Sequence, residues 1–478
     1  MADGLFIARS NTLIGGRFEV DTAQSLADAG AGVPAFVARD RMAADGRRVA
    51  LAVSRDASPR AKPLRILNEH IDNLMLPLGH GVAPLAAGKG VGYFVICTTP
   101  PGPPLSAELT QWSEKMATDL VLRPVSQVLA RLHRLGVTHR AIRLNNVFQA
   151  ASGQPVTLGA GWAAPPAMHQ PVLFESPYSA MCHPAGRGEG SIADDVYALG
   201  VLLLTLIAGR LPMANLDDAT IIRWKLDIGS FAALTRDVGM SGAFGDLLRG
   251  MLAEDPDHRP PPGSLMELAN SRGRRVATRP ARRSQAALML NEVAVFDART
   301  LAYELIKDEK RAVQFLRNGV VTQWLRRALG DAGLATQIED LVRGRVADTG
   351  SGPLGDALLL MHTVNTLDPL MPLCWRGVMV WPDALASLLA AAIAADNLLL
   401  AAIEEVLVTD VASVWTAADP RRAPPDYAEH VQQQHLLQGG GPDGLLRLFY
   451  GWNPVLPCRV AAMATSWIIS VADLMQFL

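Results

Sequence analysis

The chain has little of what marks disulfide-rich, metal-binding or nucleic-acid-binding proteins. Only four cysteines occur in 478 residues (Cys97, Cys182, Cys374 and Cys458), and none belongs to a C-x-x-C pair. The sequence therefore predicts neither a disulfide framework nor a zinc site, and we expect no metal centre. The 44 Lys and Arg residues nearly balance the 46 Asp and Glu residues, for a net charge of -2. This balance favours neither nucleic acid nor an anionic membrane as a partner.

Long apolar runs are also missing. The two most apolar stretches, 198–208 and 385–395, are too short to cross a bilayer and are typical of core helices. The first residues lack the charged-then-apolar pattern of a secretory signal. We therefore expect a soluble protein of the cytoplasm, without a membrane partner, and its length predicts two or three domains.

The most informative stretch runs from Val137 to Phe148 and contains His139, Arg140 and Asn146. Their spacing resembles the H-R-D-L-x-x-x-N catalytic loop of protein kinases, in which the aspartate is the catalytic base. Here that position is Ala141. Because a methyl group cannot accept a proton, the loop indicates a kinase-like fold without kinase chemistry.

Three further signals follow in the order that the kinase family has. Gly159-Ala160-Gly161 stands at the D-F-G position, 194–203 resembles the buried central helix of the C-lobe, and 251–260 resembles the segment before the last kinase helices. The chain thus resembles the protein kinase-like superfamily over roughly residues 15 to 270, and within it the bacterial Ser/Thr-kinase-like pseudokinases. The resemblance implies an α+β, two-lobed fold, with an N-lobe at about 1–97 and a C-lobe at about 102–270.

The N-lobe signals are weaker. Gly30 and Gly32 are what remains of a G-x-G-x-x-G loop, and Ala52 replaces the lysine of V-A-I-K. Glu69 is the candidate for the helix-C glutamate, and Cys97 with Thr98 begins the hinge. If a nucleotide binds at all, the resemblance places it against Gly30, Gly32, Glu69, Cys97, Thr98, Arg143 and Asn146.

Three degenerate positions, Ala52, Ala141 and Gly159, decide the expected function. Phosphoryl transfer depends on a lysine at the phosphates, carboxylates at the metal and a group that orients the nucleophile. Loss of a general base alone costs about 10²- to 10⁴-fold in rate. We therefore expect no catalytic residues, no enzyme activity and no cofactor; ATP with Mg²⁺ is possible but not expected. Arg47, Arg48 or Arg55 could replace the missing lysine, an alternative that stays open.

The retained residues are expected to be structural. In the family, the residues matching His139, Arg140 and Asp195 support the loop, and the arginine matching Arg259 pairs with the glutamate of A-P-E. This chain has no clean A-P-E, and Glu175 is a displaced candidate for that partner.

The remainder of the chain has no recognised family. An arginine-rich stretch at 271–284 predicts a linker, with binding of an acidic partner as the alternative. From 285 to 478, apolar residues recur at helical spacing from Ser284 onward, which predicts an all-α domain. Its tryptophans could anchor an interface, although core positions are the commoner outcome.

Two classes of function fit these patterns. The first is a catalytically inactive pseudokinase that acts as a scaffold or allosteric regulator and binds a protein through the helical domain or the C-lobe. The second is an atypical nucleotide-dependent transferase, or a weak ATP-binding protein, with rearranged pocket residues.

Overall fold

A computed structural model describes residues 13–29, 32–67, 69–86, 89–270, 282–290, 292–348, 352–395, 397–409, 411–419, 422 and 442–478. Its mixed α/β architecture confirms the predicted fold class: an N-terminal antiparallel sheet is followed by a largely helical remainder. Gly30 and most of the arginine-rich stretch lie outside the described residues.

The N-terminal part is built around one six-stranded sheet. Its strands are β1 (Leu13–Ile14), β2 (Phe18–Ser25), β3 (Ala35–Asp40), β4 (Arg47–Ala52), β5 (Pro77–Pro84) and β6 (Val91–Cys97). They are antiparallel in the order β1-β2-β3-β4-β6-β5. The sheet curls until β1 contacts β5, so it forms a small barrel that side chains can fill.

Alternation along β6 shows why this strand is apolar on both faces. Phe94 and Ile96 point into the barrel with Phe18, whereas Tyr93 and Val95 face the larger core that continues into the C-lobe. Successive residues of a strand point to opposite faces. A strand buried on both faces therefore needs the near-continuous apolar run found here.

The C-lobe is helical, with a short hairpin of β7 (Val147–Gln149) and β8 (Val156–Leu158) at its top. Its helices are α1 (Glu114–Ala117), α2 (Arg123–Arg134), α3 (Pro177–Ala180), α4 (Ile192–Ala208), α5 (Asp218–Ile228), α6 (Ser230–Thr235), α7 (Gly242–Met251) and α8 (Leu265–Asn270). The central helix α4 begins with a capping box between Ser191 and Asp194 and ends at the left-handed Gly209. Its apolar, all-round burial is what a core helix requires.

The C-terminal part is largely helical but not wholly so. Its helices are α9 (Ala298–Leu305), α10 (Glu309–Arg317), α11 (Val320–Trp324), α12 (Ala332–Asp348), α13 (Pro353–Leu367), α14 (Leu385–Ala395), α15 (Asn397–Val408), α16 (Val411–Ala417), α17 (Pro442–Trp452) and α18 (Val471–Phe477). Two hairpins accompany them, β9 (Leu288–Leu290) with β10 (Val293–Val295) and β11 (Leu373–Trp375) with β12 (Val378–Val380). The run after Ser284, predicted to be helical, thus forms the first hairpin.

One hydrophobic cluster contains residues from both sides of the predicted linker at 271–284. Tyr178, Ile221 and Leu226 of the C-lobe share a cluster with residues of the C-terminal part, among them Leu301 and Val364. The side-chain hydroxyl of Tyr178 also donates to Asp368, at 2.8 Å. The two parts therefore pack against each other along a shared core, and the predicted domain boundary stays a prediction.

Candidate functional site

The kinase-like loop, residues 137–148, is bound at its backbone by the carboxylate of Asp195. Asp195, on α4, accepts the backbone N–H of His139 at 2.7 Å and that of Arg140 at 2.6 Å. Burial raises the pKa of Asp195 to about 6, against the opposing effect of these two bonds. Arg140 itself has a positive φ of 56°, a strained conformation for a residue with a side chain. The two bonds to Asp195 stabilise that backbone conformation.

His139 supports the loop from inside. Burial lowers its pKa to about 3, so the ring is neutral at pH 7 and Nε2 donates to the carbonyl of Gly159 at 2.7 Å. Its ring packs edge-on against Trp162, with centroids 5.4 Å apart. The Trp162 indole in turn donates to the carbonyl of Met75, at 2.9 Å. This chain of contacts fixes the segment after β8 against both lobes.

Asn146 fills the space that the Cβ of any side chain at position 159 would need. Its Nδ2 donates to the carbonyls of Ala141, at 2.9 Å, and Ala160, at 3.1 Å. A Cβ on Gly159 would lie 2.6 Å from Asn146 Cγ, closer still to Oδ1, and 2.7 Å from its backbone oxygen. Real Cβ atoms are not found so close to other heavy atoms. Only glycine therefore fits at position 159 while Asn146 keeps this conformation.

The next residues of this region are equally tightly packed. A Cβ on Gly161 would lie 2.8 Å from the methyl group of Ala141, which is itself 5% exposed. Above them, a Cβ on Gly32 would lie 2.9 Å from Cδ2 of His169. The segment after β8 thus packs against the start of the barrel, and the cavity beside Arg143 and His169 has a volume of about 10 Å³.

Arg143 is buried within this packing. Its Nη1 donates to Oε1 of Gln170, at 3.2 Å, and Gln170 donates to the carbonyl of Ile142, at 2.7 Å. Burial lowers the pKa of Arg143 to about 10, so the guanidinium remains charged at neutral pH. The arrangement ties the segment at 170 to the kinase-like loop.

The predicted N-lobe residues are not brought to one site. On β4, Val49 and Leu51 face the core shared with the C-lobe, whereas Ala52 packs with the barrel interior. Glu69 lies outside any helix and pairs with Arg131 of α2, at 2.5 Å, so its assignment to a helix C is wrong.

The hinge residues hold the backbone together. Cys97 ends β6 and is fully buried, which raises the pKa of its thiol well above the ordinary value. The side chain of Thr98 accepts the backbone N–H of Leu76, at 3.0 Å.

The three arginines considered as substitutes for the missing lysine bind elsewhere. Arg55 donates to the carbonyls of Ser466, at 2.8 Å, and Cys458, at 3.3 Å. Arg48 lies 3.5 Å from Asp40, and Arg47, the first residue of β4, is exposed. In the described structure none of them reaches the kinase-like loop.

Two buried ion pairs replace the expected one. Arg140 contacts Glu175 at 3.0 Å, with both side chains 2% exposed. Arg259 instead contacts Asp194 at 3.2 Å and donates to the carbonyl of Ala253, at 2.8 Å. Glu175 is therefore the partner of Arg140, and its assignment to Arg259 is wrong. The sequence could not show which arginine binds which carboxylate, because Asp194 and Glu175 both lie close to the loop.

The described residues contain neither a metal-binding cluster nor a membrane-spanning helix. Within them, no group of three or more His, Cys, Asp or Glu side chains is arranged to hold a metal ion. Among the same residues, no helix combines the length and apolar character needed to cross a membrane.

Comparison with known proteins gives one kind of match. The ribosomal protein S6 kinases alpha-2 of mouse and human are each 30% identical to the chain over 158 residues. The match covers 31% of this chain and 21% of each kinase, so the chain spans about a fifth of the length of these relatives. No family model matches the chain. The partial likeness to a protein kinase, together with the mixed α/β fold, supports a kinase-like relationship.

Proposed function

We propose that the protein is a pseudokinase, a kinase-like fold that transfers no phosphoryl group and works by binding another protein. One observation carries the proposal: Asn146 occupies the space that a Cβ at position 159 would need, so the aspartate that binds the metal ion in kinases does not fit there in this packing. Moving the Asn146 side chain out of this space would break both hydrogen bonds that its Nδ2 donates.

The remaining chemistry supports the same proposal. Catalysis of phosphoryl transfer consists almost wholly of positioning and charge stabilisation. Position 141 has a methyl group instead of a base, and Ala52 faces the barrel interior. Each missing interaction of about 1.4 kcal/mol lowers the rate tenfold. Because such residues act together, one substitution is not expected to restore turnover.

The test is a thermal-shift titration of the full chain with ATP, with and without Mg²⁺ or Mn²⁺. A ligand that binds only the folded state must raise the melting temperature. The proposal predicts no metal-dependent rise and no transfer of label from radioactive ATP. A metal-dependent rise together with transfer would favour the alternative, an atypical nucleotide-dependent transferase. A rise without transfer would indicate an inactive nucleotide-binding protein.

Helix α18 offers a surface for a protein partner. Val471 and Met475 of α18, and Leu478 directly after it, are 76%, 70% and 85% exposed. The spacing of four residues places Val471 and Met475 on one side of the helix. Such an apolar stripe is typical of a helix that docks into a partner's groove. A double substitution, Val471→Ser with Met475→Ser, is expected to abolish co-purification of a cross-linked partner. Retention of the same partner would exclude α18 as its binding surface.

We further propose a bacterial origin and a cytoplasmic location. All four cysteines are free thiols, and three of them, Cys97, Cys182 and Cys374, are buried. Free thiols persist in reducing compartments. Subcellular fractionation of the native host would test the location.

A further inference from the structure

One buried arginine near the kinase-like loop has no carboxylate partner among the described side chains. Arg143 is 3% exposed, and its Nη2 atom is buried without a hydrogen-bond partner among the described residues. Its bond to Gln170 has a neutral amide oxygen as acceptor. An uncompensated buried charge costs several kcal/mol, so such groups are normally paired.

Other buried arginines of the same region show the usual arrangement. Arg60 pairs with Glu189, Arg140 with Glu175, and Arg259 with Asp194. Each of these three guanidinium groups therefore has a carboxylate beside it. Arg143 has a neutral acceptor instead, as does Arg187, which donates to the carbonyls of Ala167 and Gln170.

The cavity beside Arg143 is small and positively charged. The described residues that line it include Arg140, Arg143 and His169 but no carboxylate, and the remainder are apolar or glycine. Since Arg140 is neutralised by Glu175, the positive charge of Arg143 is left over. A volume of about 10 Å³ admits one small occupant of about the size of a water molecule.

We propose that this cavity binds a small monovalent anion of the size of chloride, held by Nη2 of Arg143. A water molecule would satisfy the donor but would leave the charge in place. A phosphate or sulfate ion is too large for the space. The inference rests on the packing around Arg143 and holds whether or not the protein transfers phosphoryl groups.

A bound anion would stabilise the segment after β8. Arg143 binds Gln170, and Gln170 binds the carbonyl of Ile142. His169, one residue earlier, packs against Gly32 of the barrel. An anion that fixes Arg143 therefore fixes the contact between the barrel and the kinase-like loop.

The experiment measures the melting temperature of the full chain in sodium chloride and in sodium gluconate at equal ionic strength. At a chloride concentration about tenfold above Kd, the wild-type protein should melt about 1–3 °C higher than in gluconate. The variant Arg143→Met should melt at the same temperature in both salts. The control Arg134→Met, at an exposed arginine of α2, should keep the wild-type difference.

Crystals of the wild-type protein soaked in bromide provide a second measurement that does not depend on a folded variant. An anomalous peak within hydrogen-bond distance of Arg143 Nη2 would support the proposal. A cavity that contains only water, or a wild-type melting temperature that is equal in the two salts, would overturn it.

Discussion

Replacing Gly159 by aspartate introduces the residue that protein kinases have at this position, but it should lower the free energy of unfolding. A Cβ there would lie 2.6 Å from Asn146 Cγ and 2.7 Å from the backbone oxygen of the same residue. To make room, the Asn146 side chain must leave the two carbonyls that it binds. Two lost hydrogen bonds at about 1 kcal/mol each and overpacking of about 1–3 kcal/mol give a loss of about 3–5 kcal/mol.

The assay is urea denaturation, in which the free energy of unfolding is compared at equal m. Gly263→Asp is the matched control, because a Cβ at this exposed glycine meets no atom within 4 Å. A Gly159→Ala substitution should also cost less in an Asn146→Ala background than in the wild type, since part of the clash is then gone. The remaining cost would come from the Asn146 backbone oxygen.

The reasoning would be refuted if Gly159→Asp were as stable as Gly263→Asp. It would be refuted more strongly if the triple variant Ala52→Lys, Ala141→Asp, Gly159→Asp phosphorylated a substrate. We expect no such gain, because position 52 faces the barrel interior and the space at position 159 is filled.

Three further predictions concern stability. Glu175→Ala should cost about 3–5 kcal/mol in urea denaturation because it removes the nearest carboxylate from the buried Arg140. Asp119→Ala, at an exposed pair with Lys115, should cost far less, and equal losses would contradict this. Burial lowers the pKa of Lys225 from 10.5 to about 7, so between these pH values the unfolded chain holds a proton that the folded chain releases. The free energy of unfolding should therefore rise with pH in this range, by at most about 1.4 kcal/mol per pH unit. Lys225→Met should lack that rise, and a pH profile identical to that of the wild type would disprove the assignment. Trp467→Ala should speed proteolysis of residues 455–470, because Trp467 packs on Tyr93 with centroids 5.7 Å apart, while Phe477→Ala, at a 41% exposed residue, should leave the cleavage rate unchanged.

The sequence predicts the elements with strong local signals. The strand from Tyr93 to Cys97 and the long buried helix at 194–203 are found as β6 and α4, because continuous apolar runs with clear caps and breaks specify them. The pairs 300–306 and 312–316 are found as α9 and α10 for the same reason. The mixed α/β class follows from these elements.

Contacts between distant segments could not be predicted in this way. The exchange of partners between Arg140, Arg259, Glu175 and Asp194 depends on the three-dimensional course of the chain. The side to which Ala52 points depends on how the sheet curls into a barrel. The helix expected at Glu69 is replaced by a short 3₁₀ turn at Lys62–Ile66, which has Pro63 near its start and is shorter than a stable helix requires.

The C-terminal segment has a mechanical consequence for the two lobes. Besides the covalent hinge at Thr98, the barrel is attached to residues 455–470 through Arg55, which binds the carbonyls of Ser466 and Cys458. The backbone N–H of Val91 adds a bond to the carbonyl of Thr465, at 3.0 Å. A barrel attached only through the hinge could rotate, whereas a barrel attached at two separated points resists rotation. The second attachment should therefore restrict the rotation of one lobe against the other in this protein.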